Sequence, residues 1–170
     1  MEETKMKITF QGGEVHLEGE ALTEGAKAPN FTGAKTDLSA WSLSDAGSTV
    51  KIISSVPSLD TPVCDLQTKR FNKEAANLNG VTVVTVSLDL PFAQARWCAA
   101  ANANSHIVLS DYAERDFGKK FGTLIKELKL LTRAVFVLDK DNTVKYVQYV
   151  PEITNEPDYE AALKAAKSLL

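Results

Sequence analysis

The chain has 170 residues, 24% of them charged, with a net charge of −3 at neutral pH. That length suits one domain, 1–170, with a substantial buried core; the near balance of charge lacks the basic excess of a nucleic-acid footprint, and no apolar run approaches the ~18 residues of a membrane span. Two cysteines are too few for a disulfide scaffold, so the expected setting is a reducing cytoplasm, where a cysteine pair is more often catalytic than structural.

The opening Met1-Glu2-Glu3-Thr4-Lys5-Met6-Lys7 carries acids and no apolar h-region, and is not read as a signal peptide. Lys7-Ile8-Thr9-Phe10 and Val15-His16-Leu17 flank Gly12-Gly13 and predict a β-hairpin, with His16 on a strand face. A polar stretch with Pro29, Gly33 and Trp41 follows, partly extended. The β-branched run at 50–56 predicts a strand, and 62–78 a helix with apolar residues Val63, Leu66, Phe71, Ala75 and Leu78 at helical spacing. Next come a strand (81–88), a helix (92–101), a short strand (106–110) beginning at His106, and a helical segment (112–121). An irregular region runs through Leu131. Strands at 134–139 and 143–150 flank the polar turn Asp139-Lys140-Asp141-Asn142 as an antiparallel hairpin, and a helix at 157–169 closes the chain. A βαβ unit with parallel strands, then a hairpin and a helix, is the order of a thioredoxin-like α/β fold.

Cys64 falls where the first strand hands over to the first helix. Thr61 is a good N-cap and Pro62 fits the first helical position. Cys64 is thereby placed in the first turn, where uncapped amides and the positive end of the helix dipole favour a thiolate. A free cysteine is more often a small buried hydrophobe, but the upstream residues shift that weighting. The Thr61 hydroxyl can turn back toward the sulfur, and Pro57 cannot extend a strand ladder and breaks the chain into a turn. Neither histidine has a Cys or His at ligand spacing, and there is no P-loop or Gly-x-Gly-x-x-Gly, so no metal or cofactor is expected.

The string Val56-Pro57-Ser58-Leu59-Asp60-Thr61-Pro62-Val63-Cys64 contains Pro-x-x-x-Thr-x-x-Cys and resembles the active-site motif of the peroxiredoxins, in particular their Tpx-type thiol peroxidases. The segment Ser87-Leu88-Asp89-Leu90-Pro91-Phe92-Ala93-Gln94-Ala95-Arg96-Trp97-Cys98 is similar to the one that carries the resolving cysteine in that branch, 34 positions after Cys64. The likeness runs from Phe10-Gln11-Gly12-Gly13 to Thr154-Asn155-Glu156-Pro157-Asp158-Tyr159-Glu160-Ala161-Ala162-Leu163. Two departures stand out: Ala99-Ala100 follow Cys98 where a glycine is usual, and Thr132 precedes Arg133 where alanine is common.

The resemblance implies a thioredoxin-like fold of the peroxiredoxin type and a peroxidase acting on hydrogen peroxide and organic hydroperoxides, which the sequence does not rank. It implies attack by the Cys64 thiolate, a sulfenic acid, closure of an intramolecular Cys64–Cys98 disulfide, reduction by thioredoxin, and a homodimer with no interface legible here. Cys98 lies about six residues into its helix, roughly 9 Å along it, while a disulfide needs Cα atoms within about 7 Å; local unwinding is therefore expected. Arg133, in Thr-Arg-Ala-Val-Phe at the start of a core strand, must be paired. Its residues alone leave open a structural carboxylate or the cysteine, and the resemblance favours the cysteine. Thr61 reads as a cap and, by the resemblance, as a group that positions peroxide; Pro57 reads as a strand terminator that also shields the sulfur. Arg70 is expected on a solvated helix face, and Trp97 as packing. A thioredoxin-type oxidoreductase would usually carry Cys-x-x-Cys, which is absent around Cys64. A non-enzymatic redox sensor is excluded by no residue; it would stall after one equivalent of peroxide instead of turning over.

Overall fold

The computed structural model describes residues 6–75, 78–103 and 106–170. Residues 1–5 of the opening segment and 76–77 near the end of the first predicted helix lie outside the described residues.

The N-terminal hairpin forms from β1 (Ile8–Phe10) and β2 (Gly13–Val15). Its turn is Gln11-Gly12, with φ of 52° and 82°, one residue earlier than the expected Gly12-Gly13. Two consecutive left-handed residues match the twist of the flanking strands, and Gly13 is then free to pair with Phe10. Leu17 consequently leaves the hairpin for β3 (Leu17–Glu18), which pairs with β9 (Leu124–Ile125) in the region expected to be irregular. His16 sits between the two strands, exposed, its amide donating to the Glu127 carboxylate at 2.7 Å.

The polar stretch contains β4 (Thr32–Ala34), β5 (Ala40–Ser42) and a 3-10 turn at Leu43–Ala46. Then follow β6 (Val50–Ser55), α1 (Pro62–Ala75), β7 (Val81–Ser87), α2 (Pro91–Ala100) and β8 (Ile107–Ser110). β6, β7 and β8 pair in parallel, as a pair of βαβ units requires. β10 (Ala134–Leu138) and β11 (Val144–Tyr149) form the expected hairpin, and β10 docks antiparallel on the other edge of β6. The closing helix α4 (Tyr159–Ser168) starts where the Asp158 carboxylate accepts the Ala161 amide. The sheet order β11-β10-β6-β7-β8-β4-β5 is a thioredoxin-like α/β arrangement with an added N-terminal hairpin.

α3 (Asp116–Lys120) is shorter than the segment expected at 112–121. Arg115 stands at φ 53° and cuts the preceding turn off from the helix. The Asp111 carboxylate instead reaches across to accept the Phe117 and Gly118 amides at 2.9 and 2.8 Å. Burial pushes Asp111 up to about 6 despite those bonds.

Alternation along the central strands divides the core. Val50, Ile52, Val135 and Val137 face α1 and α4, where they meet Phe71, Ala75, Tyr159 and Ala166. Ile53, Val84, Val86 and Phe136 face the other side, onto Phe31, Phe117 and Phe121. Phe71 is fully buried with its ring 5.3 Å from that of Tyr159. Phe71→Ala should therefore destabilise the fold by about 3–5 kcal/mol in denaturant unfolding; a loss under ~1 kcal/mol would contradict this packing. A third cluster lies beyond the C-terminal end of β6, joining Val56, Leu59 and Val108 to both cysteines. The crevice at the carboxyl ends of parallel strands is where open α/β sheets place their sites.

Candidate active site

The turn carrying Cys64 is fixed from below. β6 hands over through the Val56 amide, which donates to the Val86 carbonyl at 3.1 Å. Pro57, buried and without an N–H, cannot prolong the ladder. The next residues are clamped by Asp89, whose carboxylate accepts the Ser58 hydroxyl (2.7 Å), the Leu59 amide (2.8 Å) and the Ser87 hydroxyl (2.8 Å). Helix α1 then starts at Pro62, with the Asp65 amide donating to the Thr61 carbonyl at 3.0 Å. Cys64 is in its first turn, as expected, and is fully buried. The Thr61 hydroxyl differs from expectation: it donates to the Ser58 carbonyl at 3.0 Å and does not turn to the sulfur. The carbonyl is the stronger acceptor and closes the turn.

Arg133 stands one residue before β10 and is 2% exposed. Its Nη2 donates to Cys64 Sγ at 3.2 Å, Nη1 to Gln67 Oε1 at 2.8 Å, and Nε to the Ile153 carbonyl at 2.7 Å. Among the described residues no carboxylate pairs with it. Of the two partners left open for Arg133, the cysteine is the one present. The guanidinium is thus buried against two neutral oxygens and one sulfur.

Gln67 was not foreseen. Fully buried, it passes Nε2 to the Ser54 hydroxyl at 2.6 Å while its oxygen holds Arg133. The available signal was a polar residue one turn after Cys64, on the face of α1 that must pack on the sheet. Asp89 and the Ile153 carbonyl were also missed, since a clamp across 30 residues has no local pattern. Arg70 is exposed as expected, paired with Glu74 at 3.3 Å, but its guanidinium also lies over the Tyr159 ring, 4.3 Å from its centre.

A depression of about 270 Å³ opens beside Arg133, lined by it and by Pro57, Thr61 and Val63 together with Phe10 and Ile153. Phe10 reaches it because Glu152 pins the hairpin turn. The Glu152 carboxylate accepts the Gly12 amide at 2.8 Å, the Thr9 hydroxyl at 3.0 Å and the Thr154 amide at 2.9 Å. The Thr154 bonds above all, then that from Gly12, hold Glu152 down at about 2. A depressed carboxyl stabilises the fold above its ordinary range and loses that contribution as pH falls toward 2. The Gly12 amide shift should therefore stay flat from pH 7 past 4.5 in an NMR titration; a midpoint near 4.5 would contradict the clamp.

Cys98 is buried in α2, and burial pushes its thiol up. Both cysteines are free and belong to one cluster with Val56, Leu59, Ala103 and Val108. Trp97, expected as packing, also donates its indole N–H to Asp65 Oδ1 at 2.7 Å. Thr132, which precedes Arg133, accepts the Ser55 hydroxyl on its carbonyl at 2.9 Å. Among the described residues no helix is long and apolar enough to cross a membrane.

A first-turn cysteine facing a buried arginine, set in a thioredoxin-like frame, is the arrangement of a peroxiredoxin-type enzyme. Residues 23–163 match the Redoxin family model. The chain is 55% identical to a thiol peroxidase of Halalkalibacterium halodurans, over 96% of its own length and 98% of that protein's. It is 52% identical to a thiol peroxidase of Bacillus subtilis at the same coverage. The structure of a peroxiredoxin-like protein from Aquifex aeolicus superposes with a TM-score of 0.91 at 42% identity, covering 99% of this chain and 100% of that one. The chain belongs to the Redoxin family, among its Tpx-type thiol peroxidases, and is a peroxidase of the peroxiredoxin type.

Proposed function

We propose that this chain, acting as one domain over 1–170, reduces hydrogen peroxide and organic hydroperoxides through Cys64, closes a Cys64–Cys98 disulfide, and is recycled by thioredoxin in the cytoplasm as a homodimer. The observation that carries the reading is the Arg133–Cys64 contact at 3.2 Å in a buried site with no carboxylate for the cation among the described residues. Arg133 holds the sulfur as thiolate, the form that attacks peroxide. The peroxide enters between Thr61 and Pro57, where the Thr61 hydroxyl, its hydrogen committed to Ser58, keeps lone pairs to accept a hydrogen bond from the peroxide hydroxyl. Sulfur bonds to the terminal oxygen as the O–O bond breaks. The departing oxygen takes the electron pair and a proton from solvent, leaving as alcohol or water, while the transferred hydroxyl keeps its own proton and makes Cys64 a sulfenic acid. First-turn amides and the Arg133 fork meet the charge developing on the leaving oxygen. Pro57 walls the sulfur from bulk water, and the Phe10 and Ile153 surfaces suit an alkyl chain.

Cys98 then displaces the Cys64 hydroxyl: the S–O bond breaks, the S–S bond forms, and the thiol proton leaves with the hydroxyl as water. The Tpx relationship supports thioredoxin as the reductant that reopens the disulfide. Arg133→Met keeps bulk and removes the charge. It should slow peroxide attack at least tenfold, about 1.4 kcal/mol in the barrier. Stopped-flow oxidation of the folded variant at the wild-type rate would make Arg133 structural. Sustained peroxide consumption with a thioredoxin system tests the whole cycle; stalling after one equivalent would replace the enzyme cycle with a sensor.

A further inference from the structure

The two helices that carry the cysteines are tied to each other beside both sulfurs. Asp65 directly follows Cys64 in the first turn of α1, and Trp97 directly precedes Cys98 in the last turn of α2. The Trp97 indole N–H donates to Asp65 Oδ1 at 2.7 Å, while Lys69 Nζ holds Oδ2 of the same carboxylate at 3.0 Å. Trp97 also packs on the cluster that contains both cysteines. We propose that Trp97 and Asp65 are positioning residues, and that their hydrogen bond is the latch that sets how fast the disulfide closes. This inference rests on the Cys64–Cys98 resolution proposed above.

The rest of α2 explains why the latch sits at this end. Its N-terminal half is anchored to the sheet: Gln94 Nε2 donates to the Ser87 hydroxyl at 3.0 Å and to the Leu109 carbonyl at 2.8 Å. Asp89, just before the helix, is bound to Ser58 and Leu59, just before Cys64's helix. These bonds keep the two segments adjacent when their ends move. Cys64 Sγ is held at Arg133, and Cys98 stands in a helical turn continued by the bond from the Ala101 amide to the Trp97 carbonyl at 2.9 Å. In this proposal one of these turns unwinds as the sulfurs join, and either movement pulls Trp97 from Asp65. Ala99 and Ala100, better helix formers than the glycine usual there, stiffen the same turn. While the latch is closed the sulfenic acid waits, and a second peroxide can oxidise it to the sulfinic acid, itself reduced to alcohol or water.

The test is a quenched-flow series with one equivalent of hydrogen peroxide, free thiols alkylated, and sulfenic acid and linked peptides followed by mass spectrometry. Trp97→Phe keeps an aromatic ring and removes the N–H. It should form sulfenic acid at the wild-type rate and close the disulfide roughly fivefold faster, the scale of one hydrogen bond lost on the way to the open form. With excess peroxide it should accumulate less sulfinic acid. Asp65→Ala breaks the bond from the other side and should do the same, whereas Asp65→Asn keeps an acceptor and should close near the wild-type rate. Closure no faster than wild type in Trp97→Phe or Asp65→Ala, with sulfenic acid formed normally, overturns the latch. A wild type that never yields the linked peptide overturns the resolution step itself, so the two failures are distinct.

Discussion

Cys64→Ser is expected to bring peroxide turnover down to the uncatalysed background. The fold would survive, since a serine fits the space of the fully buried thiol. The chemistry would not, because a hydroxyl beside Arg133 does not ionise near neutral pH and is a poor nucleophile toward a peroxide oxygen. Arg133 would still have the Gln67 and Ile153 oxygens as partners, so the loss of activity would not come with loss of the site's frame. A coupled peroxidase assay on the folded variant measures this. Substantial turnover would remove Cys64 from the centre of the mechanism; among the described residues no arginine bonds the Cys98 sulfur, and burial pushes that thiol up.

Cys98→Ser separates attack from recycling. The variant should react once with peroxide at the wild-type rate and then stop, because its sulfenic acid has no second thiol in the chain to condense with. The product should persist as sulfenic acid, be captured by added small thiols, or proceed to the sulfinic acid. In the wild type, the same burial gives the closing step a pH dependence. A resolving thiol raised above its ordinary range is mostly protonated at neutral pH, and its thiolate fraction grows about tenfold per pH unit below its pKa. Closure should accelerate from pH 6 to 8. Full thioredoxin-dependent turnover by Cys98→Ser would make the intramolecular route wrong even though the peroxidase assignment stands.

Much of this was legible because the deciding residues are local. Thr61, Pro62 and Cys64 announce a helix start by their order alone, and β-branched runs on both sides of α1 announce parallel strands. Arg133 was legible as a charge at the mouth of a core strand, though its partner was not, since 69 residues separate it from Cys64. Contacts over such distances depend on sheet order, which periodicity does not encode. Gln67, Asp89 and Glu152 were missed for the same reason: each acts by bonding groups brought together only after the sheet has formed. The Thr61 hydroxyl bonds the Ser58 carbonyl instead of the sulfur, and local spacing does not rank the two acceptors. The hairpin turn slipped by one residue because Gln11 adopts a left-handed conformation that its side chain does not advertise.

The most direct test is the mass of the protein before and after one equivalent of peroxide, with the proteolytic peptides mapped. The expected product has lost two hydrogens and yields a single linked pair containing Cys64 and Cys98, reversed by thioredoxin. A product with added oxygen on Cys64 and an alkylatable Cys98, or a disulfide between two copies of the chain, would contradict it.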